Sequence, residues 1–196
     1  MRRHLLSCGL AAVLLAGCSS SDPEVRAWRA ALQQARLAKD EFMRGPDSPL
    51  DVAQRRSFAG LAYFAPRRDW VVEAMLEPAA VPDTVRFVTS TRTVEPFLRH
   101  GLLRFRHDGR ALALTVFRSP EGHLFLPFQD ETSGRETYGA GRYLELEPLP
   151  GAWFRLDFNR AYNPYCAYNS GWTCPIPPAE NRLPVRVEAG EKSFHD

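Results

Sequence analysis

Two stretches of the chain gather side chains able to bind a ligand or do chemistry. The first reads Phe128-Gln129-Asp130-Glu131-Thr132-Ser133-Gly134-Arg135-Glu136-Thr137-Tyr138-Gly139-Ala140-Gly141-Arg142-Tyr143. Asp130, Glu136, Tyr138 and Arg142 bring acids, a phenol and a guanidinium into one segment. Its three glycines let the backbone turn sharply or come close to another chain or a ligand. Arg142 suits a two-pronged grip on a carboxylate or phosphate. It equally suits an internal pair with one of the neighbouring acids.

The second stretch, 157–184, holds Asp157, Asn159, Tyr162, Asn163, Trp172 and Asn181, with further Tyr and Asn residues between them. So long a segment without regular periodicity is usually functional or disordered, and its aromatic content argues for order. Flat rings beside amide donors and acceptors suit a sugar or another small polar molecule. They also suit a loop that bonds its own backbone. Asp130, Glu136 and Asp157 could supply acid and base chemistry, as in a hydrolase, on condition that the fold pairs them and shifts their pKa values.

Cys166 and Cys174 lie in this second stretch. In an exported domain two cysteines are expected to form a disulfide, and a nine-residue loop closed in this way gains about 2.5 kcal/mol from the restricted unfolded chain. A nucleophilic Cys166 would need a base, and no His is near it in sequence. The histidines have no ligand spacing with the cysteines or with one another, so no metal and no cofactor is expected.

These groups must be positioned by a mainly β scaffold. Val25, Trp28, Leu32, Ala35 and Phe42 recur at helical spacing, a stripe that Lys39 alone interrupts. Pro23 and Glu24 suit its first turn, and Gly45-Pro46 stops it. A second short helix is expected over Val52 to Phe58. Beyond Gly60 the period becomes two: Trp70, Val72, Ala74 and Leu76; Val85 and Phe87; Leu103 and Phe105; Leu112, Leu114 and Val116; Leu124, Leu126 and Phe128; Leu144 and Leu146; Phe154, Leu156 and Phe158. Asp108-Gly109 and Pro120-Glu121-Gly122 are turns between such runs, and Val185 and Val187 read as a last short strand. The pattern predicts an antiparallel meander closing into a barrel or sandwich, with the amphipathic helix packed on it.

The first 17 residues read as an export leader. Arg2, Arg3 and His4 precede an apolar run from Leu5 to Leu15, too short to span a bilayer. Leu15-Ala16-Gly17-Cys18 resembles the bacterial lipobox, which implies lipid attachment at Cys18 and cleavage before it. Two or more acyl chains anchor stably where one does not. The expected division is a leader over 1–17, lipidated Cys18 and tether over 18–24, and one β-rich domain over 25–196. Removing 17 of the 196 residues leaves 179. The leader takes two of the 25 Lys and Arg and none of the 23 Asp and Glu, so the remainder is formally neutral. A neutral domain gives no electrostatic reason to bind nucleic acid. The expected location is the cell envelope, with the membrane as partner through the lipid. In a host with two membranes, Ser19 after the cysteine favours the outer one, facing the periplasm.

Several strings together carry a resemblance: Lys39-Asp40, Ser48-Pro49-Leu50, Gly60-Leu61, Asp130-Glu131-Thr132-Ser133-Gly134, Asp157-Phe158-Asn159, Ala161-Tyr162-Asn163-Pro164, Cys174-Pro175, Pro177-Pro178, Glu180-Asn181 and Ala189-Gly190-Glu191. In these the chain resembles the bacterial family catalogued as domain of unknown function 1684. The resemblance implies no activity; it adds weight to the two irregular stretches. The expectation is an exported, membrane-anchored protein binding a small polar molecule or glycan through 128–143 and 157–184. The alternatives are an envelope hydrolase, or a structural envelope protein meeting a partner through Trp28 and Phe42 or a strand edge.

Overall fold

A computed structural model describes residues 22–81 and 83–195. The leader and Cys18 lie outside the described residues. Helix α1 (Pro23–Arg44) starts where the sequence predicts: Asp22 accepts from the Glu24 amide, Pro23 occupies the first turn, and Gly45 follows the last. Helix α2 (Val52–Ser57) is closed by a reciprocal cap, Asp51 accepting from the Gln54 amide while Gln54 accepts from the Asp51 amide.

Eight strands follow: β1 (Val71–Pro78), β2 (Thr84–Val88), β3 (Val94–His107), β4 (Arg110–Arg118), β5 (Leu124–Phe128), β6 (Arg142–Leu144), β7 (Glu147–Pro148) and β8 (Trp153–Asp157). They form one antiparallel sheet in the order β6-β5-β4-β3-β1-β8-β7, with β2 paired to β3, curled into a half-barrel. The mainly β, antiparallel reading with an N-terminal helix therefore holds. The β3–β4 hairpin turns at Asp108 and Gly109, both at positive φ, which a two-residue turn between twisted strands requires.

The predicted alternation fills the concave face. Trp70, Ala74, Leu103, Phe105, Leu114, Val116, Leu126, Phe128, Leu156 and Phe158 are buried in one cluster. Val185, Val187 and Ala189 join it without forming a strand, so the expected last strand is absent. Their backbone finds partners elsewhere: the Val185 carbonyl accepts from the Glu131 amide, and the Val187 amide donates to Asp130. The segment is thus threaded against the open face of the half-barrel and tied by individual bonds.

Helix α1 touches the domain along a narrow line. Leu32 and Met43 are its only buried described residues. Trp28 is anchored through its indole N–H to Asp157 at 2.8 Å. Phe42 is part exposed and stacks on Tyr165. Between these contacts the helix stands off the 157–165 segment and leaves a hollow.

Candidate functional site

Most of the sequence-predicted site residues hold the fold together. Arg142 and Asp130 are both 0% exposed and paired at 2.8 Å. Arg142 also donates to the carbonyls of Val187, Ala189 and Glu191. Asp130 accepts from the Thr132 and Val187 amides. This guanidinium is enclosed and engaged, so it is no anion grip. It replaces the ladder that the 185–191 segment would otherwise need.

The asparagines act in the same way. Asn159 accepts from the Arg67 amide at 2.7 Å and donates to the Arg67 carbonyl at 2.8 Å. Asn181 accepts from the Thr115 amide and donates to the carbonyls of Thr115 and Pro127. A side-chain amide carries one donor group and one acceptor, so it pairs both backbone groups of a residue as a neighbouring strand would.

The two irregular stretches meet: Tyr143 and Tyr162 exchange backbone bonds, and Gln129 does so with Asn181 and Leu183. Their acids do not share a cleft. Asp130 is enclosed with Arg142. Glu136 pairs with Arg186 beside a surface groove lined by 134–139 and 192–195. Asp157 takes Trp28, the Asn159 amide and Arg160. The acid–base trio proposed from sequence is therefore three separate structural carboxylates. Trp172 donates to the Pro49 carbonyl and meets Tyr165 edge-on.

The expected disulfide is not formed. Cys166 and Cys174 are free thiols side by side, the Cys166 amide donating to Cys174 Sγ at 3.1 Å and Tyr138 Oη to Cys166 Sγ at 3.8 Å. The hydrogen bond from the Cys174 thiol pulls the Cys166 pKa down to about 6, while Cys174 itself is pushed up. Burial and the neighbouring sulfur raise Tyr138 to about 12.

What the structure brings together lies under α1. A hollow of about 420 Å³ is walled by Leu32, Ala35 and Phe42 of the helix and by the rings of Tyr63, Tyr162 and Tyr165. At its floor sits the Glu191 carboxylate, 1% exposed. It accepts from Lys39 Nζ at 2.6 Å, from the Asn163 amide at 3.2 Å, from Asn163 Nδ2 at 3.0 Å and from the Tyr168 hydroxyl. Four donors, one of them charged, offset the cost of burying an anion. The buried Tyr168 hydroxyl, facing that anion, is held far above its ordinary pKa.

Glu191 reaches this floor because Gly190 passes tightly beneath the 158–161 turn at φ 80°. A Cβ there would lie 2.7 Å from the carbonyl oxygens of Phe158 and Ala161. Only glycine fits, by conformation and by space. On the other wall, Arg36 lies over the Tyr63 ring at 4.3 Å and donates to the Phe64 carbonyl at 3.2 Å. At the rim, Tyr162 donates to Glu145 at 2.7 Å.

Of the predicted residues, Asn159, Tyr162 and Asn163 line this hollow, and the 128–143 stretch does not. Arg36, Lys39, Tyr63 and Glu191 escaped the site reading of the sequence. One signal pointed to them. Lys39 is the sole interruption of the helical apolar stripe, because its ammonium reaches inward to a buried acid. Elsewhere, Asp69, His107 and Asp108 place three ligand-type atoms within 4.8 Å of one another. Asp69 is already held through both oxygens by Arg67, and His107 lies flat on Trp70.

The family model described as "Protein of unknown function (DUF1684)" matches residues 56–192. That span holds Tyr63, Tyr162, Asn163, Tyr168 and Glu191, while Arg36 and Lys39 precede it. Among solved structures, the solution NMR structure of the uncharacterised protein from gene locus rrnAC0354 of Haloarcula marismortui is 38% identical. The match covers 89% of this chain and 99% of that one, with a TM-score of 0.69. No curated protein matches.

Proposed function

The chain belongs to the DUF1684 family of proteins of unknown function, and from that premise we propose that it is an exported, lipid-anchored protein that captures a small organic molecule in the hollow under α1. The observation that carries this reading is the Lys39–Glu191 pair. Its acid is sealed at 1% exposure while its lysine side chain is 25% exposed, at the base of an aromatic-walled concavity. Hollows of this size, mostly apolar with a few convergent polar groups, are the usual form of small-molecule sites.

Export and anchoring rest on the basic start, the short apolar run and the cysteine at position 18. Pro23 follows Cys18 by five residues, so α1 begins within about 17 Å of the anchor even with the tether extended. The roof of the hollow would then lie close to the membrane surface. In that oxidising compartment Cys166 and Cys174 would convert to the disulfide expected from sequence.

The test is a thermal-shift screen of sugars, carboxylic acids, amines and nucleosides on the full chain, beside Tyr162→Ala. A ligand that binds only the native state raises apparent stability. A compound that stabilises the parent and not Tyr162→Ala supports the hollow as the site. Stabilisation that survives in Tyr162→Ala, or none from any class, rejects it.

A further inference from the structure

Resting on the reading of this hollow as a binding site, we infer that its ligand is an apolar monocarboxylate, an acyl-chain or aryl-alkyl acid whose carboxylate is held by Arg36. The inference starts from the charges facing the hollow: Arg36, Lys39 and Arg160 are cationic, Glu145 and Glu191 anionic. Lys39 is paired with Glu191, and Arg160 with Asp157 at 3.5 Å. Arg36 makes no ion pair within 4.0 Å among the described residues. Asp157 acts on it through space, but its oxygens are already taken by Trp28, Asn159 and Arg160.

Arg36 is also poorly supplied with acceptors. Its one hydrogen bond runs from Nη2 to a neutral carbonyl, Phe64, and its Nε is buried without a partner. A guanidinium offers five N–H donors in a planar fork that matches a carboxylate. Burial works against its charge, and an incoming anion would reverse that cost. The side chain is held in place by the Tyr63 ring beneath it, so the grip is partly preorganised.

The rest of the hollow says what the acid must carry. Leu32, Ala35, Phe42 and Ala161 present apolar surface, and Tyr162 and Tyr165 present rings. The polar floor is already satisfied internally: Glu191, Lys39 and the Asn163 amide nitrogen bind one another, and Tyr162 binds Glu145. Beside Glu191, among the described residues, Asn163 Oδ1 is sealed from solvent without a partner, out of a ligand's reach. A sugar would lose its hydration and find few partners beyond the Tyr63 and Tyr165 hydroxyls, which is costly. A hydrocarbon body would lose nothing.

The experiment uses the full chain in lipid nanodiscs, with empty nanodiscs as the blank for partitioning. Calorimetry measures octanoate and 3-phenylpropionate against their neutral amides and against glucose. The acids are expected to bind about 10- to 100-fold more tightly than their amides, the range for one charge-assisted contact. Arg36→Gln should bring each acid down to the level of its amide and leave the amide unchanged, with Arg36→Lys between. The acid-to-amide ratio in the parent protein needs no variant, so it stands even where Arg36→Gln fails to fold. Octanoate ahead of 3-phenylpropionate points to a membrane-derived acyl acid, and the reverse order to a diffusible aromatic acid; either supports the inference. Equal affinity for acid and amide, or Tyr162-dependent binding of glucose alone, overturns the carboxylate inference and leaves the hollow a binding site. No binding by any probe overturns the carboxylate inference and, with an empty thermal-shift screen, the reading of the hollow as well.

Discussion

Among the described residues two ion pairs seal their acid to 1% exposure or less, and they differ in how the partner is held. Arg142–Asp130 is closed on all sides, and three carbonyls and two amides bond it further, leaving only Arg142 Nε without a partner. Lys39–Glu191 is closed only at the acid. Its lysine comes from a helix that stands away from the sheet, and both residues face an aromatic hollow. The first pair organises a segment that has no strand of its own. The second keeps a charge beneath a space that hydrocarbon could have filled. Burying ions is rarely the cheapest way to gain stability. Where the hollow above a pair is left open, the proposed ligand recognition would account for an arrangement that stability alone does not.

That contrast can be broken by substitution. Arg142→Met strands Asp130 and frees three carbonyls, so a loss of about 3–5 kcal/mol is expected in urea unfolding. A loss under 1 kcal/mol would show that the closed pair is not what ties down 185–191. Oxidising Cys166 and Cys174 to a disulfide should add about 2.5 kcal/mol by constraining the unfolded chain. It should leave both ion pairs unchanged, and mass spectrometry with unfolding of the two redox forms checks it. Glu191→Gln keeps an acceptor for Tyr168, and Lys39 can swing into water. Its cost should be nearer 2 kcal/mol, smaller than that of Arg142→Met, and a reversed order would refute the distinction between closed and open pairs. Tyr162→Phe removes only the rim bond to Glu145 and should cost about 0.5 kcal/mol.

The thiols add a pH dependence that neither ion pair shares. In the reduced protein Cys166 titrates near 6, below the usual thiol value of about 9. The fold therefore favours its thiolate. That contribution is complete above pH 9 and is lost as pH falls toward 6. Cys174 is shifted upward, so its contribution is present below pH 9 and is lost above it. Stability of the reduced form should peak near pH 9, and Cys166→Ser should flatten the rise between 6 and 9. A reduced parent whose urea midpoint is level across that window would refute it.

The strands were legible because alternation in the sequence reports a half-buried sheet directly. Trp70, Ala74, Leu103, Leu114, Leu126 and Leu156 all sit where period two puts them. Asp22, Pro23 and Gly45 bound α1 as their local chemistry requires. The site was less legible. An asparagine that binds Arg67 or Thr115 through both backbone groups has the same composition as one that binds a sugar. Arg142 and Asp130 were open to a functional reading as well as to an internal pair, because their other partners, the 187–191 carbonyls for Arg142 and the Thr132 and Val187 amides for Asp130, are backbone atoms and leave no trace in side-chain identity. Val185 and Val187 alternate as a strand would, yet single groups of the 128–143 stretch supply their bonds, the Glu131 amide for Val185 and the Arg142 and Asp130 side chains for Val187. Lys39 was the visible exception, and the structure shows its reason.

The reach of Arg142 across the chain sets an order of events. Its acceptors at 187, 189 and 191 are made about fifty residues after it. Until residue 191 leaves the ribosome, a guanidinium and a carboxylate would be shut into the core with most of their bonds missing, which disfavours closing the half-barrel early. The polypeptide would thus delay its own compaction. In a chain exported as proposed, staying open until 185–191 is made would keep it threadable through a narrow channel.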